Sequence, residues 1–274
     1  MSQILDYRLV CFLVSYTPEC SLKVRRGYTL VIACAGVGNV GQLCMDVLIS
    51  SIESVFAGYL NSAHVPPVVG PPPYPELPST APLACSLELY DDDFRKLSLL
   101  QVRAPVFPGA HDRFATEIVD FIKQQKFSLV VLLSSSFAMT RKDQQLRGPP
   151  LQYSVTSATR VEDIEALSRI GLMKLVEEEV PDGDMESDST HLALNLPGSG
   201  AALFLFSALE KAQTVPTVLL NTFTCDGDNR NDAFFMAHAL NGWLKVNPAD
   251  GAVSWKTPKC WKMLYGCGFD PALY

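Results

Sequence analysis

The apolar positions of this chain alternate between two local patterns. Residues 28–34 form an apolar, β-prone run, read as a buried strand. The turn Gly36-Val37-Gly38-Asn39-Val40-Gly41 follows. Residues 42–56 then carry Leu43, Val47, Leu48, Ile52, Val55 and Phe56 at helical spacing. A shorter run, 57–60, predicts the next strand. Residues 85–90 and 96–104 alternate apolar and polar around Asp91-Asp92-Asp93, the pattern of a β-hairpin. Asp112 is placed to cap a helix with Phe114, Ile118, Phe121 and Ile122 on one face. Residues 128–133 predict a further buried strand, ending at Ser134-Ser135-Ser136. A helix over 158–170 meets its stop at Gly171. A strand at 191–196 runs into Pro197-Gly198-Ser199-Gly200 and an apolar helix, 201–211. Residues 217–223 form another strand, and Asn231 is placed to cap a helix ending near Leu244.

Strands alternating with helices, plus one hairpin, predict an α/β fold with a largely parallel sheet covered on both faces. Two stretches break the pattern. Residues 65–82 hold eight prolines, and proline neither continues a helix nor donates to a sheet, so this is an extended surface loop. Its Pro71-Pro72-Pro73-Tyr74 also fits a WW-domain ligand. Residues 177–188 contain seven acids and no base, read as a solvated loop.

Composition narrows the function classes. The 274 residues are 48% hydrophobic and 19% charged, which excludes a disordered chain and allows a full core. The net charge of −7 argues against a nucleic-acid partner and against an anionic membrane surface. No apolar run approaches the ~20 residues of a membrane span. Leu9 to Val14 is short for a secretory signal and follows Asp6 and Arg8, so it reads as a strand or a loosely attached extension. Eight cysteines lack any C-x-x-C spacing and mostly sit in apolar runs, which fits a reducing compartment, cytosol or nucleus.

Candidate chemistry centres on two glycine corners. Gly36-x-Gly38-x-x-Gly41 follows a strand and opens a helix, the context of a dinucleotide-binding fingerprint. An acid should end the second strand, about 20 residues on, to hold a ribose. Asn61 stands there instead, and Glu53 lies within the predicted helix. Gly198-Ser199-Gly200 forms a second corner without the Lys-Ser/Thr ending of a P-loop. Each corner has two readings: an anion cradle, or close packing of strand against helix. Calcium patterns fail at both acidic stretches. Ser187 and Ala193 replace the required glycine and final acid in one, and Arg230 interrupts Asp226, Asp228 and Asp232 in the other. No nucleophile elbow surrounds Ser134 to Ser136. His238 reads as a structural histidine among Phe234, Phe235 and Trp243.

Several segments resemble the PAC2 family of proteasome assembly chaperones. They are Gly36 to Leu43 with Met45-Asp46 and Leu48-Ile49-Ser50-Ser51; Leu132 to Ser136 with Arg141, Asp143, Gln145-Leu146-Arg147 and Tyr153; Leu196-Pro197-Gly198 with Gly200; and Trp255-Lys256, Pro258, Trp261, Leu264-Tyr265-Gly266, Gly268 and Pro271-Ala272-Leu273. The resemblance spans roughly residues 28–274. It implies a purine-nucleoside-phosphorylase-like three-layer α/β/α sandwich with no cofactor, metal or catalytic residue, in the cytoplasm and nucleus. It further implies a heterodimer with proteasome assembly chaperone 1. That pair would bind the α-subunit ring of the 20S core particle, promote its assembly and block its self-association. The alternative is a nucleotide-, nucleoside- or phosphate-binding enzyme using the Gly36–Gly41 corner. The expected organisation is an N-terminal extension (1–27), one chaperone domain (28–265) and an extended tail (266–274). In that tail Ala272, Leu273 and Tyr274 would dock on the α ring. Gly36, Gly38, Gly41, Gly198 and Gly200 would be structural turns.

Overall fold

The structure, a computed structural model, describes residues 23–52, 54–181, 190–247 and 254–265. The expectations for the apolar stretch near the N-terminus, for Glu53, for the acidic residues 182–188 and for Ala272, Leu273 and Tyr274 lie outside the described residues. In chain order the elements are β1 (Thr29–Ala33), α1 (Val40–Ser51), β2 (Val55–Tyr59), β3 (Val69–Gly70), β4 (Ala84–Cys85), β5 (Leu87–Asp92), β6 (Leu97–Val102), α2 (His111–Gln125) and β7 (Leu129–Phe137). They continue with β8 (Leu151–Val155), α3 (Val161–Arg169), β9 (Met173–Lys174), β10 (Glu178–Pro181), β11 (Thr190–Ala193), α4 (Ala202–Ala212), β12 (Thr217–Thr224) and α5 (Arg230–Leu244).

Eight strands make one sheet in the order β2-β5-β6-β1-β7-β12-β8-β9. Its centre, β6-β1-β7-β12, is parallel, and β5 joins through the antiparallel hairpin with β6. One face packs on α2 and α4 through Leu30, Ile32, Val130 and Leu132 against Phe114, Ile118, Leu205 and Leu209. The other packs on α1 and α5 through Val31, Ala33, Val131 and Leu133 against Leu48, Met236 and Leu240. Alternate residues of each central strand thus enter opposite cores, which is why these strands read as continuous apolar runs. The result is the expected three-layer α/β/α sandwich.

Several local expectations are corrected. Helix α1 ends at Ser51, so Val55 and Phe56 belong to strand β2, where they pair with Asp91 and Tyr90. Their apolar spacing suits either element, and pairing with β5 decides it. Asp112 and Asn231 are not caps. Ala110 and Asn229 hold the cap positions, and Asp112 sits in the first turn, where a carboxylate offsets the helix dipole. The stretch 191–196 is not a strand of the main sheet; among the described residues β11 pairs with β10 alone, as a separate antiparallel two-stranded sheet. Strand β7 continues through Ser134 to Phe137, and β8 is a sheet strand that the apolar pattern did not mark. Arg25, within the stretch read as an extension, is buried and bonds both oxygens of Asp91 at 2.9 and 3.0 Å.

The proline-rich loop closes the free side of β2, as Phe56 N–H donates to Ser79 O at 2.9 Å. Covering an edge strand in this way blocks stray strand pairing. Tyr74 of the Pro-Pro-Pro-Tyr sequence is fully buried, so the folded loop does not present a WW ligand.

Candidate functional site

The parallel strands β1, β7 and β12 end at one edge of the sheet, where α/β folds usually hold ligands. Both glycine corners meet there. Val37 N–H donates to Gly198 O at 3.1 Å, and the Ser135 hydroxyl donates to Val37 O at 2.6 Å. Gly36 lies against Ser135, and Gly198 against Val37 and Phe137. Space at these corners is too short for side chains. A Cβ on Gly41 would stand 2.7 Å from Leu133 O, so β7 and α1 could not approach as they do. Gly200 has φ +59°, and its Cβ would stand 2.0 Å from Ala35 O.

The position an anion would take under the alternative reading is met from within the chain. Gly38 N–H, which would face a pyrophosphate, donates to the Asp226 carboxylate at 3.3 Å. Asn229 packs over Gly38 and donates to Cys225 O and Gly227 O at 3.0 and 3.1 Å. Asp228 is neutralised by its own neighbour Arg230, which holds its carboxyl below the usual carboxylate range. Ser134, Ser135 and Ser136 are buried, with Ser136 accepting from Asn221 Nδ2 at 2.7 Å. These hydroxyls stitch strand to loop. The acids and amides after β12 lie almost 190 residues from the corner they fill, so no local motif could have marked their role.

A second buried polar cluster lies on the α1 side of the sheet. Asp46 Oδ1 accepts from the Tyr74 hydroxyl at 2.6 Å and Gln101 Nε2 at 2.9 Å; Oδ2 accepts from Trp261 Nε1 at 3.1 Å. Arg103 forks onto Glu88 through Nε (2.6 Å) and Nη2 (3.1 Å), and the Tyr90 hydroxyl donates to Glu88 at 3.0 Å. Burial, and next the Asp46 charge, push the Tyr74 hydroxyl well above its ordinary value. Burial opposes the Arg103 cation, but Tyr74, Glu88 and Asp46 more than offset it and raise its value. The cluster is built from α1, the proline loop, β6 and the C-terminal segment. It anchors the proline loop and the C-terminal segment to α1.

That C-terminal segment runs as a strap along α5. Trp255 Nε1 donates to His238 Nδ1 at 3.1 Å, Lys256 N–H to the Ser51 hydroxyl at 2.9 Å, and Tyr265 lies against the Arg230 guanidinium. The strap therefore travels from the middle of α5 to its N-terminus, at the edge where the glycine corners meet.

The family model for the PAC2 family matches residues 30–217, most of the sheet and both glycine corners. The chain belongs to the PAC2 family. Among curated PAC2 relatives, proteasome assembly chaperone 2 of Danio rerio is 34% identical over 252 residues, covering 91% of this chain and 95% of the relative. The protein of the same name from Nematostella vectensis is 37% identical, covering 82% and 92%. That of Homo sapiens is 31% identical, covering 90% and 95%. Among solved structures, Pyrococcus furiosus PbaA, described as an archaeal homolog of proteasome-assembly chaperone, superposes with a TM-score of 0.56 at 18% identity, covering 82% of this chain and 84% of that one. Pyrococcus furiosus PbaB, described as an archaeal proteasome activator, gives 0.52 at 16%, covering 82% and 86%. At these identities the solved structures establish the fold alone.

Proposed function

We propose that this chain is a chaperone of 20S proteasome assembly rather than an enzyme. It pairs with proteasome assembly chaperone 1, binds the α-subunit ring, promotes its assembly and prevents its self-association, in cytoplasm and nucleus. The observation that carries this reading is the self-filled ligand edge. An α/β fold that keeps its glycine corners but occupies them with Asp226, Asn229 and Ser135 has kept the architecture without the binding space. The names of the curated relatives point the same way. The strap brings Tyr265 beside Arg230 at the sheet edge, and Ala272, Leu273 and Tyr274, later in the chain, dock on the ring through the terminal carboxylate.

Affinity purification from cells with mass spectrometry tests the reading. Proteasome α subunits and one paralogous chaperone should dominate the bound fraction. A bound fraction without α subunits would refute it.

A further inference from the structure

A single ring nitrogen meets the C-terminal strap on α5. His238 Nδ1 lies 2.8 Å from the carbonyl oxygen of Phe234 and 3.1 Å from Nε1 of Trp255. The carbonyl can only accept and the indole can only donate, so the two partners make opposite demands on Nδ1. With a proton on Nδ1 the ring donates to Phe234 O and presents an N–H to the indole N–H. With Nδ1 bare the ring accepts from Trp255 and faces the carbonyl without a bond. The two contacts exclude each other, and the protonation of one atom decides which is made.

The neutral ring favours the indole. Phe234 lies inside α5, where its carbonyl takes the ordinary helical bond from the backbone N–H four residues on and needs no second donor. Trp255 is half-buried, its ring edge-on to the imidazole at 5.7 Å, and its one donor costs free energy if left unmatched. The elements packed on α5 bring charges of both signs. Asp46 on α1 is taken by Tyr74, Gln101 and Trp261. On α3, Asp163 is taken by Arg160 and Trp243, Glu165 lies beside Arg169, and Glu162 sits in the first turn. On α5 itself Asp232 accepts from Thr224, and Arg230 pairs with Asp228. The strap contributes the cations Lys256, Lys259 and Lys262.

Beyond Trp255 the strap is held by Lys256 N–H on the Ser51 hydroxyl at 2.9 Å, by Lys259 N–H on Glu76 at 3.4 Å and by Trp261 on Asp46. Among these acceptors the imidazole belongs to the one side-chain type that gains its proton just below neutral pH. Protonation fills both ring nitrogens. Nδ1–H then turns to Phe234 O, and the indole N–H meets a cationic donor in place of an acceptor. We propose that His238 is a proton-operated latch for the strap: with Nδ1 bare it holds Trp255 against α5, and with Nδ1 protonated it releases Trp255 and the adjoining Lys256 while Trp261 stays on Asp46. The change is a local loosening of the strap, because its far anchor is a buried carboxylate and does not depend on the imidazole.

The test follows the full chain by nuclear magnetic resonance and hydrogen exchange between about pH 5.5 and about pH 7.5, with exchange rates corrected for the intrinsic effect of pH. Protection of the Lys256 amide should fall about two- to tenfold toward the acid end, the worth of one hydrogen bond. The Trp255 indole resonance should move over the same range, and at the neutral end the His238 ring should carry its proton on Nε2. His238→Gln cannot titrate and should flatten both profiles. Trp255→Phe keeps an aromatic ring without the donor and should hold Lys256 protection at the acid level throughout. His238 is exposed and Trp255 half-buried, so the melting temperatures of both variants at neutral pH should stay near that of the native chain. His64→Gln is the control: His64 pairs with Glu117 of α2, on the other face of the sheet from α5, and should leave the profiles unchanged. A Lys256 amide in the native chain that ignores pH, an unaltered profile in His238→Gln, or a proton on Nδ1 at the neutral end would each overturn the latch.

Discussion

The indole N–H of Trp261 donates to the carboxylate of Asp46 across a sequence separation of 215 residues. Trp261 is 3% exposed and also packs edge-on against Phe234 of α5. Asp46 in turn holds Tyr74 and Gln101, so one carboxylate joins α1, the proline loop, the hairpin strand β6 and the C-terminal strap. The strap stays folded because a buried anion needs all of these donors.

Removing either member should therefore be costly. Trp261→Phe keeps most of the packing but leaves a buried carboxylate oxygen without its donor, an expected loss of about 1–3 kcal/mol. Asp46→Ala strands three donors and unbalances Arg103, an expected loss of about 3–5 kcal/mol. Urea unfolding curves measure both. Equal midpoints for Asp46→Ala and the native chain would mean that the cluster contributes nothing.

The glycine corners should behave as packing elements. Gly41→Val and Gly200→Val introduce atoms where Leu133 O and Ala35 O stand, and each should cost several kcal/mol or abolish soluble expression, the upper range for single substitutions being about 4–5 kcal/mol. NAD, ATP, nucleosides and phosphate should leave the native melting temperature unchanged. A ligand at about 100 times its dissociation constant would add about 2.7 kcal/mol, which a melting assay resolves. Saturable NAD binding that is lost on Asn229 or Asp226 replacement would revive a ligand role for this edge.

Alkaline pH should destabilise the fold. Burial raises the Cys34 thiol from 9.0 to about 12, and raises the Cys44 thiol and the hydroxyls of Tyr74 and Tyr90. The folded state thus keeps protons that the unfolded chain releases above pH 9 to 10. The stability these groups contribute is complete below the unfolded values and declines as pH rises toward 12. The urea midpoint should fall between about pH 8 and about pH 10.5. A constant midpoint over that interval would contradict the assignment. At neutral pH, Cys34 and Cys44 should resist alkylation in the native protein while the exposed Cys225 reacts.

The C-terminal tail should serve the ring and not the pairing. Deleting Ala272, Leu273 and Tyr274 should weaken capture of α-ring intermediates while the chaperone pair and its melting temperature stay the same. Adding one residue after Tyr274 should act similarly, because it displaces the terminal carboxylate. Equal capture by both variants in matched pull-downs would exclude docking through the tail.

The layering of the molecule was legible in the sequence because it follows from local periodicity. The apolar runs at β1, β7 and β12 and the helical stripes of α2 and α4 each signal their own face, whatever they pack against. Even the glycine corners announced a tight strand–helix turn. What surrounds them was decided only in three dimensions. The Val55-Phe56 pair fits a helix by spacing and became strand through register with β5. Tyr74 lies in a loop that reads as solvent-exposed, yet its hydroxyl is drawn inside by Asp46. Asp226 and Trp261 have no local signature at all, since each acts on a group roughly 190 to 215 residues away. Periodicity is a property of neighbouring residues. Satisfaction of buried charges and filling of a crevice are properties of whichever distant segments the folded sheet brings together, and those set Asp226 and Asn229 against the glycine corner and Tyr74 of the proline loop inside the core.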